Sequence, residues 1–542
     1  AEGYGIVVLE RAAGAASRGQ AARARVAGWG ESADAHHLTQ PHPEGTGALA
    51  AMNQALARAG VPPRELGMVA AHATGTPDND GAEFAALSRL LGNDLPRVPV
   101  VGFKSFLGHT LGGAGAVELV MSSMVLRDWR VPACPNVRAE DVEFPGLRVT
   151  SGRSVALGSG ATLNTSLGFG GANTCVVLTT PQHLALPVLP AAGPDAWITG
   201  VGVVLPGAVG HAPFVERTLG RGAWNGAGVD DASITEYLNV RRSRRMSQYV
   251  KATLAAATMA LRDAGLSNRP DRTASAAAIL GTMHGSACFC YEYYAQIVSE
   301  GALAANPVLF AEGVPNAAAA HLSTTLGVQG ACQTIIGSRT AGLDALALAA
   351  LRVRSGAVET VIVVAAEEPC PVVEMAYRAR GMQASEGERP LPPNQRAFQS
   401  VGGGVAFVLE SSVTAAARGF VPYAAVLGSA WATSNAGGAA ANVASVVARL
   451  GEPVRLIGSA CGTWIDRAER IGVRRAGLRA ELVTIADRFA EAFSVTALIG
   501  IATELSGGQS GERFASLCTD WTGAASGVGL QRLGRRLERA QT

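Results

Sequence analysis

Short apolar stretches alternate with longer Ala-rich stretches along the chain. The segments "AAAIL" (276–280) and "TVIVVAAEE" (360–368) predict buried strands, whereas "SQYVKATLAAATMALRDAGL" (247–266) has the length and composition of a helix. This alternation predicts an α/β fold with parallel or mixed sheets covered by helices. In "TIIGSRTAGLDALALAAL" (334–351) a strand meets a tight turn and a helix, the geometry that presents a nucleophile, but Arg339 stands at the turn.

The chain also contains an internal repeat. Residues 2–30 match residues 402–430 without a gap, so that Glu10 pairs with Glu410 and all other matches share the offset of 400. Both segments are expected to form an apolar strand, an Ala-rich turn and a second strand. If the repeat is complete in the second copy, about 200 residues that would precede Ala1 are missing from the first copy.

The repeat predicts the domain organisation. We expect the back half of a first copy over 1–182 and a Pro- and Ala-rich, semi-rigid linker over 183–196. A complete second copy follows, with its front half over 197–410 and its back half over 411–542.

Composition excludes several classes of function. The net charge of +2 and the charged fraction of 16% give no basic surface for nucleic acid, so no nucleic-acid partner is expected. The eight cysteines include no CxxC pair, which favours free thiols in a reducing compartment and no metal site. The chain shows no 18-residue apolar run and no leader, so we expect no membrane association, a cytoplasmic protein and no bound cofactor.

Three stretches of the first copy carry candidate chemistry: "AAHATGTPDNDGAE" (71–84), "VVGFKSFLGHTLGGAGAVEL" (100–119) and "LNTSLGFGGANTCVVL" (163–178). A single histidine after a strand is usually structural, and "GFGG" alone is usually a turn. The joint occurrence of His72 and His109, each at a strand end beside Gly or Thr, favours a site. Neutral imidazoles can donate hydrogen bonds to a developing oxyanion, and glycine loops let backbone amides approach the same atom.

These three motifs resemble those of the β-ketoacyl-ACP synthases of the thiolase-like fold. "EGYGIVVLE" (2–10) is similar to the strand that precedes them, so the resemblance covers 1–182. It implies a five-layered αβαβα architecture and decarboxylative Claisen condensation, in which a cysteine carries the acyl chain and malonyl-ACP loses CO₂. Ala73 stands where the family usually has Gly, and we expect its methyl group to cost little.

The resemblance implies three catalytic residues in the first copy. His72 and His109 would bind the malonyl thioester oxygen as enolate charge develops, and Lys104 would support them. The nucleophilic cysteine of the family belongs to the front half, so it is expected outside this chain.

The resemblance also implies supporting residues. Glu83 would join the hydrogen-bond network of Lys104, and the Phe169 amide would complete an oxyanion hole in the loop that contains Gly170. Thr74 and Thr76 would contact the phosphopantetheine arm of an acyl carrier protein, which is a substrate carrier and not a bound cofactor.

The second copy, 193–542, resembles a degenerate ketosynthase, the chain-length factor of type II polyketide synthases. Arg339 occupies the nucleophile position, which is usually Gln in that family, and it either fills the vacated site or binds a carboxylate. Ser459, Ala490 and Val495 are matched to the first histidine, the lysine and the second histidine. A replacement nucleophile at Cys461 or Cys332 has no basic partner at the matched positions.

The sequence leaves several functions open. The first is a ketosynthase/chain-length factor whose second copy is inactive and shapes the tunnel, in a (pseudo)dimer of thiolase-like units. Its partners would be an acyl carrier protein and a ketosynthase front half or partner ketosynthase subunit. The alternatives are the ketosynthase/chain-length-factor region of a polyunsaturated fatty acid synthase, and a non-catalytic module that binds a carrier protein or partner. The basic segments 241–245 and 532–542 are either carrier-protein docking sites or solvated surface.

Overall fold

The computed structural model describes residues 1–182, 193–220, 226, 228–384, 397–433 and 437–538. These residues form two compact units. Unit 1 comprises the described residues of Ala1–Leu189 together with Gln329–Ala331, and unit 2 those of Pro190–Val328 and Cys332–Thr542.

Unit 1 is built on one five-stranded sheet. The strands of unit 1, five of which form this sheet, are β1 (Arg25–Ala33), β2 (Met68–Ala70), β3 (Val100–Val101), β4 (Arg130–Val131), β5 (Val155–Ala156), β6 (Ala161–Gly168) and β7 (Ala172–Thr179). Its helices are α1 (Ala12–Ser17), α2 (Thr46–Ala59), α3 (Pro77–Leu91), α4 (Lys104–Leu107) and α5 (Ala114–Asp128). The sheet order is β1-β7-β6-β2-β3, with β2 parallel to both β6 and β3, and β4 and β5 form a separate ribbon. Helix α2 packs on β1 and β7, and α5 packs on β6.

Unit 2 contains the remaining elements. Its strands are β8 (Ala196–Leu205), β9 (Ala208–Val209), β10 (Ala277–Thr282), β11 (Cys332–Ile336), β12 (Thr360–Glu367), β13 (Gly403–Ser411), β14 (Ala424–Ala432), β15 (Arg455–Ile457), β16 (Glu481–Val483), β17 (Arg513–Thr519) and β18 (Ala525–Arg532). Its helices are α6 (His211–Thr218), α7 (Asp231–Ile234), α8 (Val240–Ser243), α9 (Gln248–Asp263), α10 (Pro270–Ser275), α11 (Ala287–Glu300), α12 (Pro307–Gly313), α13 (Ala317–Leu326), α14 (Ala341–Arg354), α15 (Pro371–Ala379), α16 (Ser412–Ala417), α17 (Ala439–Arg449), α18 (Trp464–Arg475), α19 (Ala486–Phe489) and α20 (Thr496–Leu505).

The elements of unit 2 stack in five layers. The strand order β11-β10-β12-β13-β8 continues through a β8–β14 pairing into β14-β18-β17-β15-β16. Helix α9 covers β8, β12 and β13, whereas α14 and α20 lie between the two strand groups and α17 covers β14 and β18. Strand β12 is buried along its whole length, which explains its continuous apolar sequence. The predicted αβαβα class is confirmed.

The structure reproduces the internal repeat. Unit 1 and the second half of unit 2 share one strand order, β1-β7-β6-β2-β3 and β14-β18-β17-β15-β16. β1 and β14 carry the same irregularity, between Val26 and Gly28 and between Val426 and Gly428. The Arg18–Glu10 pair, with Nε 3.1 Å from Oε1, recurs as Arg418–Glu410 at 3.0 Å.

The strand predicted over 2–10 is wrong for unit 1. No strand is assigned there, and Tyr4 and Ile6 are 97% and 86% exposed. The equivalent strand β13 is buried between β12 and β8, which lie in the front half of the second copy. A strand needs neighbours for its backbone hydrogen bonds, and the described part of unit 1 contains no equivalents of β8 and β12. The predicted Ala-rich turn is also different, because α1 and α16 occupy it in the two copies.

Other expectations have mixed outcomes. Ten of the fourteen predicted linker residues, 183–192, lie outside the described residues. The basic run 241–245 includes exposed Arg244 and Arg245. In the C-terminal tail, Arg532 is buried and bonded to Glu504, and Arg535 donates to Asp263 at 2.6 Å, so these two arginines are engaged within unit 2. Among the described helices, none combines the length and apolarity needed to cross a bilayer.

Candidate functional site

The backbone after β2 is fixed by one buried carboxylate. Glu83, on α3, accepts the N–H groups of His72 at 2.8 Å and Ala73 at 2.9 Å, and it accepts the hydroxyl of Thr165 from β6 at 2.5 Å. Each of these donors is a group that burial would otherwise leave without a partner. Glu83 therefore positions the His72 loop from behind, consistent with a supporting role.

Both histidines are held in one tautomer. Lys104 Nζ lies 3.2 Å from His72 Nδ1, and since an ammonium only donates, Nδ1 accepts and the ring proton is on Nε2. His109 Nδ1 accepts the Leu111 N–H at 3.1 Å, which likewise leaves its proton on Nε2. The ring centroids are 5.6 Å apart with an interplanar angle of 88°. The structure thus brings together His72, His109 and Lys104 as predicted, with two Nε2–H donors available in one place.

A further charged residue completes this cluster. Glu118, on α5, accepts from Lys104 Nζ at 2.6 Å, and the two side chains are 4% and 7% exposed. The sequence contained Glu118 in its second motif, but nothing in the local pattern assigned it a role. Its pairing with Lys104 depends on the packing of α5 against β6.

The electrostatics keep both imidazoles neutral. Burial lowers the pKa of His72 to about 3, with further lowering by Lys104 and His109. Burial also lowers the pKa of His109, assisted by Lys104. Burial raises the pKa of Glu118, against the opposing effect of Lys104. Neutral Nε2–H groups donate hydrogen bonds to an oxyanion without carrying a charge of their own.

The loop after His72 differs from expectation at one position. Ala73 has φ of 39°, in the left-handed region, where a methyl group costs about 1–2 kcal/mol relative to glycine. The expectation that this methyl costs little is therefore wrong. Beyond it, Thr74 and Thr76 face each other, with their hydroxyls 3.1 Å apart. Ala73, Thr74 and Lys104 also line a cavity of about 380 Å³.

The third motif forms the connection between β6 and β7. Phe169 is 43% exposed, and Gly170 has φ of 82°, a conformation that favours glycine. The Gly170 N–H donates to the Leu38 carbonyl at 2.6 Å. Behind the loop, the Asn173 side chain donates to Asp34 at 2.9 Å. The loop is thus anchored with the Phe169 ring at the surface of unit 1.

The structure corrects two residue equivalences in the second copy. Gly108 and Ala490 both end short helices with positive φ (72° and 56°). Leu111 and Phe493, each three residues later, share φ of 50°. This alignment places Glu491, and not Val495, at the position of His109. It likewise places Ala486, and not Ala490, at the position of Lys104. The sequence match failed because it was aligned on Glu504 and Leu505 of α20, the helix that follows, and not on α19 itself.

Arg339 follows β11 at the predicted elbow and is completely buried. Its guanidinium binds Glu491 through two of its three nitrogens, Nε to Oε1 at 3.0 Å and Nη2 to Oε2 at 2.6 Å. It also donates to the carbonyls of Thr519 at 2.5 Å and Ser459 at 2.8 Å, and stacks 4.7 Å above the Trp521 ring. Of the two roles considered for Arg339, the observed one is binding of a carboxylate from the same chain.

The rest of the second site is also occupied by the chain itself. The Arg339 N–H, the elbow amide, donates to the Asp520 carboxylate at 2.9 Å. Ser459, at the His72 position, donates to Glu469 at 2.7 Å, and Thr519 donates to Glu469 at 3.0 Å. The contact between Glu83 and Thr165 therefore has an equivalent in Glu469 and Thr519, while Ser459 and Glu491 stand at the positions of the two histidines.

Aromatic rings fill the space beside this ion pair. Tyr377 stacks on Phe493 with centroids 5.3 Å apart, and Phe398 stacks on Trp521 at 5.7 Å. His284 lies edge-on to Phe493 at 4.6 Å and bonds Glu367 at 3.1 Å. We call these residues the aromatic cluster: His284, Tyr377, Phe398, Phe493 and Trp521.

The two alternative nucleophiles are not activated. Burial raises the pKa of Cys461 well above its ordinary value, despite the nearby Arg339. Burial raises the pKa of Cys332 to about 12. A thiol is nucleophilic as the thiolate, so neither environment favours catalysis.

Comparison with known proteins matches both parts of the chain. The sequence profile "Beta-ketoacyl synthase, C-terminal domain" matches residues 23–138, and "Beta-ketoacyl synthase, N-terminal domain" matches residues 226–415. The 3-oxoacyl-[acyl-carrier-protein] synthase 2 of Synechocystis sp. is 38% identical over 172 residues, 32% of this chain and 41% of that protein. The enzyme of the same name from Rhizobium meliloti is 39% identical over 182 residues, 33% and 42%. The chain thus spans about two fifths of the length of these curated relatives.

Solved structures share the fold. A structure described as "PfaC Keto synthase-Chain length factor" has a TM-score of 0.78 at 17% identity, covering 97% of this chain and 64% of that one. "The ishigamide ketosynthase/chain length factor" has a TM-score of 0.56 at 18% identity, covering 63% of this chain and 100% of that one.

Proposed function

Because the chain belongs to the β-ketoacyl synthase family, we propose that it is part of a ketosynthase/chain-length factor. Such a protein elongates acyl chains on an acyl carrier protein by decarboxylative condensation with malonyl-ACP. Unit 1 supplies the groups that act on the malonyl thioester. The phosphopantetheine arm of the carrier protein brings the substrate, with Thr74 and Thr76 along its path.

The paired donors of His72 and His109 carry this proposal. Loss of CO₂ from a malonyl thioester leaves an enolate, whose negative charge develops on the thioester oxygen. Two neutral Nε2–H groups aimed at that oxygen stabilise the charge most strongly when it is fully developed, which is the requirement for catalysis. Lys104, held by Glu118, keeps the His72 proton on Nε2.

We propose that the nucleophilic cysteine comes from a ketosynthase front half outside this chain. The exposed surface of unit 1 supports this: Leu107 and Leu111 are 49% and 75% exposed, whereas their equivalents Phe489 and Phe493 are 2% and 4% exposed. In unit 2 the front half supplies the cover, for example Phe214 stacked on Phe489 at 5.2 Å. A front half of the same kind would bury both Leu107 and Leu111, and would give the segment 2–10 its missing neighbours.

The second copy is proposed to be catalytically inactive and to shape the tunnel that sets product length. Arg339 is always protonated and cannot carry an acyl group. Its partner Glu491 replaces a hydrogen-bond donor with an acceptor, and Asp520 occupies the elbow amide. A carboxylate at that amide would repel a developing oxyanion.

Reconstitution with radiolabelled substrates tests the proposal. We expect acyl-ACP and labelled malonyl-ACP to give no condensation product with this chain alone. Product should appear when a separately expressed ketosynthase front half is added, and should be lost in His72→Ala and His109→Ala but not in Cys461→Ser. Condensation by the chain alone would contradict the placement of the nucleophile.

The same experiment separates the alternative classes. A non-catalytic binding module would retain carrier-protein affinity but give no product with any front half. A polyunsaturated fatty acid synthase region would prefer growing chains with retained double bonds over poly-β-ketone chains. If the run 241–245 docks the acidic carrier protein, Arg244→Glu with Arg245→Glu should weaken binding, and salt should weaken the unaltered complex.

A further inference from the structure

A cavity of unit 1 lies beside the loop that carries His72. Its volume is about 380 Å³, which is within the range of sites that bind small molecules. Of the residues assigned to the condensation site, Thr74, Glu83 and Lys104 reach the lining of the cavity, whereas the two histidines do not. The cavity therefore adjoins the candidate site, and its ligand would not contact the groups that face the malonyl oxygen.

The interior of this cavity is apolar. Helix α3 lies on one side, and the segment between β4 and β5 lies on the other. Phe84 on α3 stacks on Phe144 of that segment, with ring centroids 4.8 Å apart. The other apolar lining residues include Leu87, Val100, Cys134, Leu147 and Val149. Such an interior accommodates an apolar ligand body.

Three carboxylates line the cavity in addition to Glu83, and two of them have no cation beside them. Asp80 accepts the Gly75 N–H at 3.2 Å, and Asp141 accepts from Arg138 Nε at 2.8 Å. Glu143 is exposed, and neither it nor Asp80 forms an ion pair with the described residues. Asp80 and Glu143 thus give the cavity uncompensated negative charge.

The single cation in the lining is already engaged. Lys104 Nζ lies 3.2 Å from His72 Nδ1, 2.5 Å from the His72 carbonyl oxygen and 2.6 Å from Glu118 Oε1. An ammonium has three N–H donors, so none is left for a ligand. A ligand carboxylate or phosphate would therefore meet carboxylates without a free cationic partner.

From this lining we propose that the cavity binds a compact molecule with an apolar body and one protonated amine. The body packs against the apolar interior, and the ammonium donates hydrogen bonds to Asp80 and Glu143. The faces of Phe84 and Phe144 attract the same cation. The proposal does not depend on the condensation activity, because it concerns residues that take no part in that reaction.

The electrostatics of Asp80 agree with a cationic ligand. Burial raises the pKa of Asp80, and the nearby Glu143 raises it further, against the effect of the Gly75 N–H. A cation between the two carboxylates would offset both unfavourable effects. Because Asp80 also holds the Gly75 amide, the bound amine would reinforce the loop that follows His72.

Calorimetric titration of the whole chain with three probes of one carbon skeleton tests the proposal. The probes are phenylbutylamine, phenylbutanol and phenylbutyrate. We expect the amine to bind about tenfold more tightly than the alcohol, because a charge-assisted hydrogen bond replaces a neutral one. We expect no measurable binding of the carboxylate. Equal affinities of amine and alcohol, tighter binding of the carboxylate, or no binding of the amine would each overturn the proposal.

A pair of charge variants tests the contact with the ammonium. Glu143→Gln should bring the affinity for the amine down toward that for the alcohol and leave the affinity for the alcohol unchanged. Glu140→Gln is the matched control, since Glu140 is an exposed carboxylate of the same segment that does not line the cavity. Matching urea-unfolding midpoints would show that both variants fold. An equal loss in both variants, or no loss in Glu143→Gln, would contradict the assignment.

Hydrogen exchange locates the bound amine on the whole chain. Peptides that contain the Gly75 amide should exchange more slowly when phenylbutylamine is added, whereas peptides from β17 in unit 2 should be unaffected. Protection elsewhere without protection at Gly75 would place the ligand outside this cavity and would overturn the proposal.

Discussion

Removing one member of the Arg339–Glu491 pair should destabilise unit 2 strongly. Both side chains are 0% exposed, and the guanidinium makes a two-point ion pair with Glu491. Arg339→Met leaves the Glu491 carboxylate buried without its cation, and Glu491→Leu leaves the guanidinium without its anion. Each should cost about 3–5 kcal/mol in the free energy of unfolding.

The double variant separates the charge pair from the rest of the packing. Arg339→Met with Glu491→Leu leaves no buried charge at the pair, although the carbonyls of Ser459 and Thr519 each lose a donor, at about 1 kcal/mol apiece. The double variant should therefore lose less free energy of unfolding than either single variant. The coupling free energy between the two substitutions should be about 3 kcal/mol or more.

Urea unfolding followed by pulsed hydrogen exchange is the suitable assay, because peptides from β17 report on unit 2 alone. Glu236→Ala, which removes the exposed Arg262–Glu236 pair of unit 2, is the matched control and should leave the midpoint unchanged. Single variants that each cost less than about 1 kcal/mol, or a double variant equal to their sum, would refute the reasoning.

Three further predictions concern unit 1. The pKa of His72 is about 3 in the folded chain and about 6.5 in the unfolded chain, so unit 1 should lose up to about 1.4 kcal/mol of stability per pH unit as the pH falls from 6.5 to 3. Urea midpoints measure this loss, and a midpoint that does not change with pH would contradict the prediction. Glu83→Ala leaves the buried N–H groups of His72 and Ala73 unpaired and should lower the free energy of unfolding by about 2–5 kcal/mol, more than Glu83→Gln does, as measured by thermal unfolding. Equal losses in the two variants would contradict the role of Glu83 as an acceptor for these groups. Ala73→Gly should stabilise unit 1 by about 1 kcal/mol, whereas Ala57→Gly in α2 should destabilise it by a similar amount. If both variants changed the free energy of unfolding in the same direction, strain at the Ala73 φ of 39° would be excluded.

The sequence predicted the elements whose causes are local. Continuous apolar runs gave β10 and β12, and the helix expected over 247–266 is α9, capped by Ser247. The first two motifs predicted that His72, His109 and Lys104 belong together. The structure supplies the reason, because these residues follow β2 and β3, and adjacent parallel strands present their ends at one edge.

The fixed offset of 400 also held in three dimensions, where β1 and β14 share one irregularity. A repeat in register needs no knowledge of packing. It is visible as soon as two segments of the chain are compared.

Partners distant in sequence were decided only by the tertiary structure. Arg339 and Glu491 are 152 residues apart, and no local pattern indicates that the first meets the second. Segment 2–10 has the composition of a strand, yet it forms none in unit 1, because a strand requires neighbours that supply hydrogen bonds. The amino-acid sequence by itself determined the family, the repeat and the candidate residues His72, His109 and Lys104, but not Glu118 or Glu491. The fold decided which charges are paired, since burial and distance between remote segments set the cost of every unpaired group.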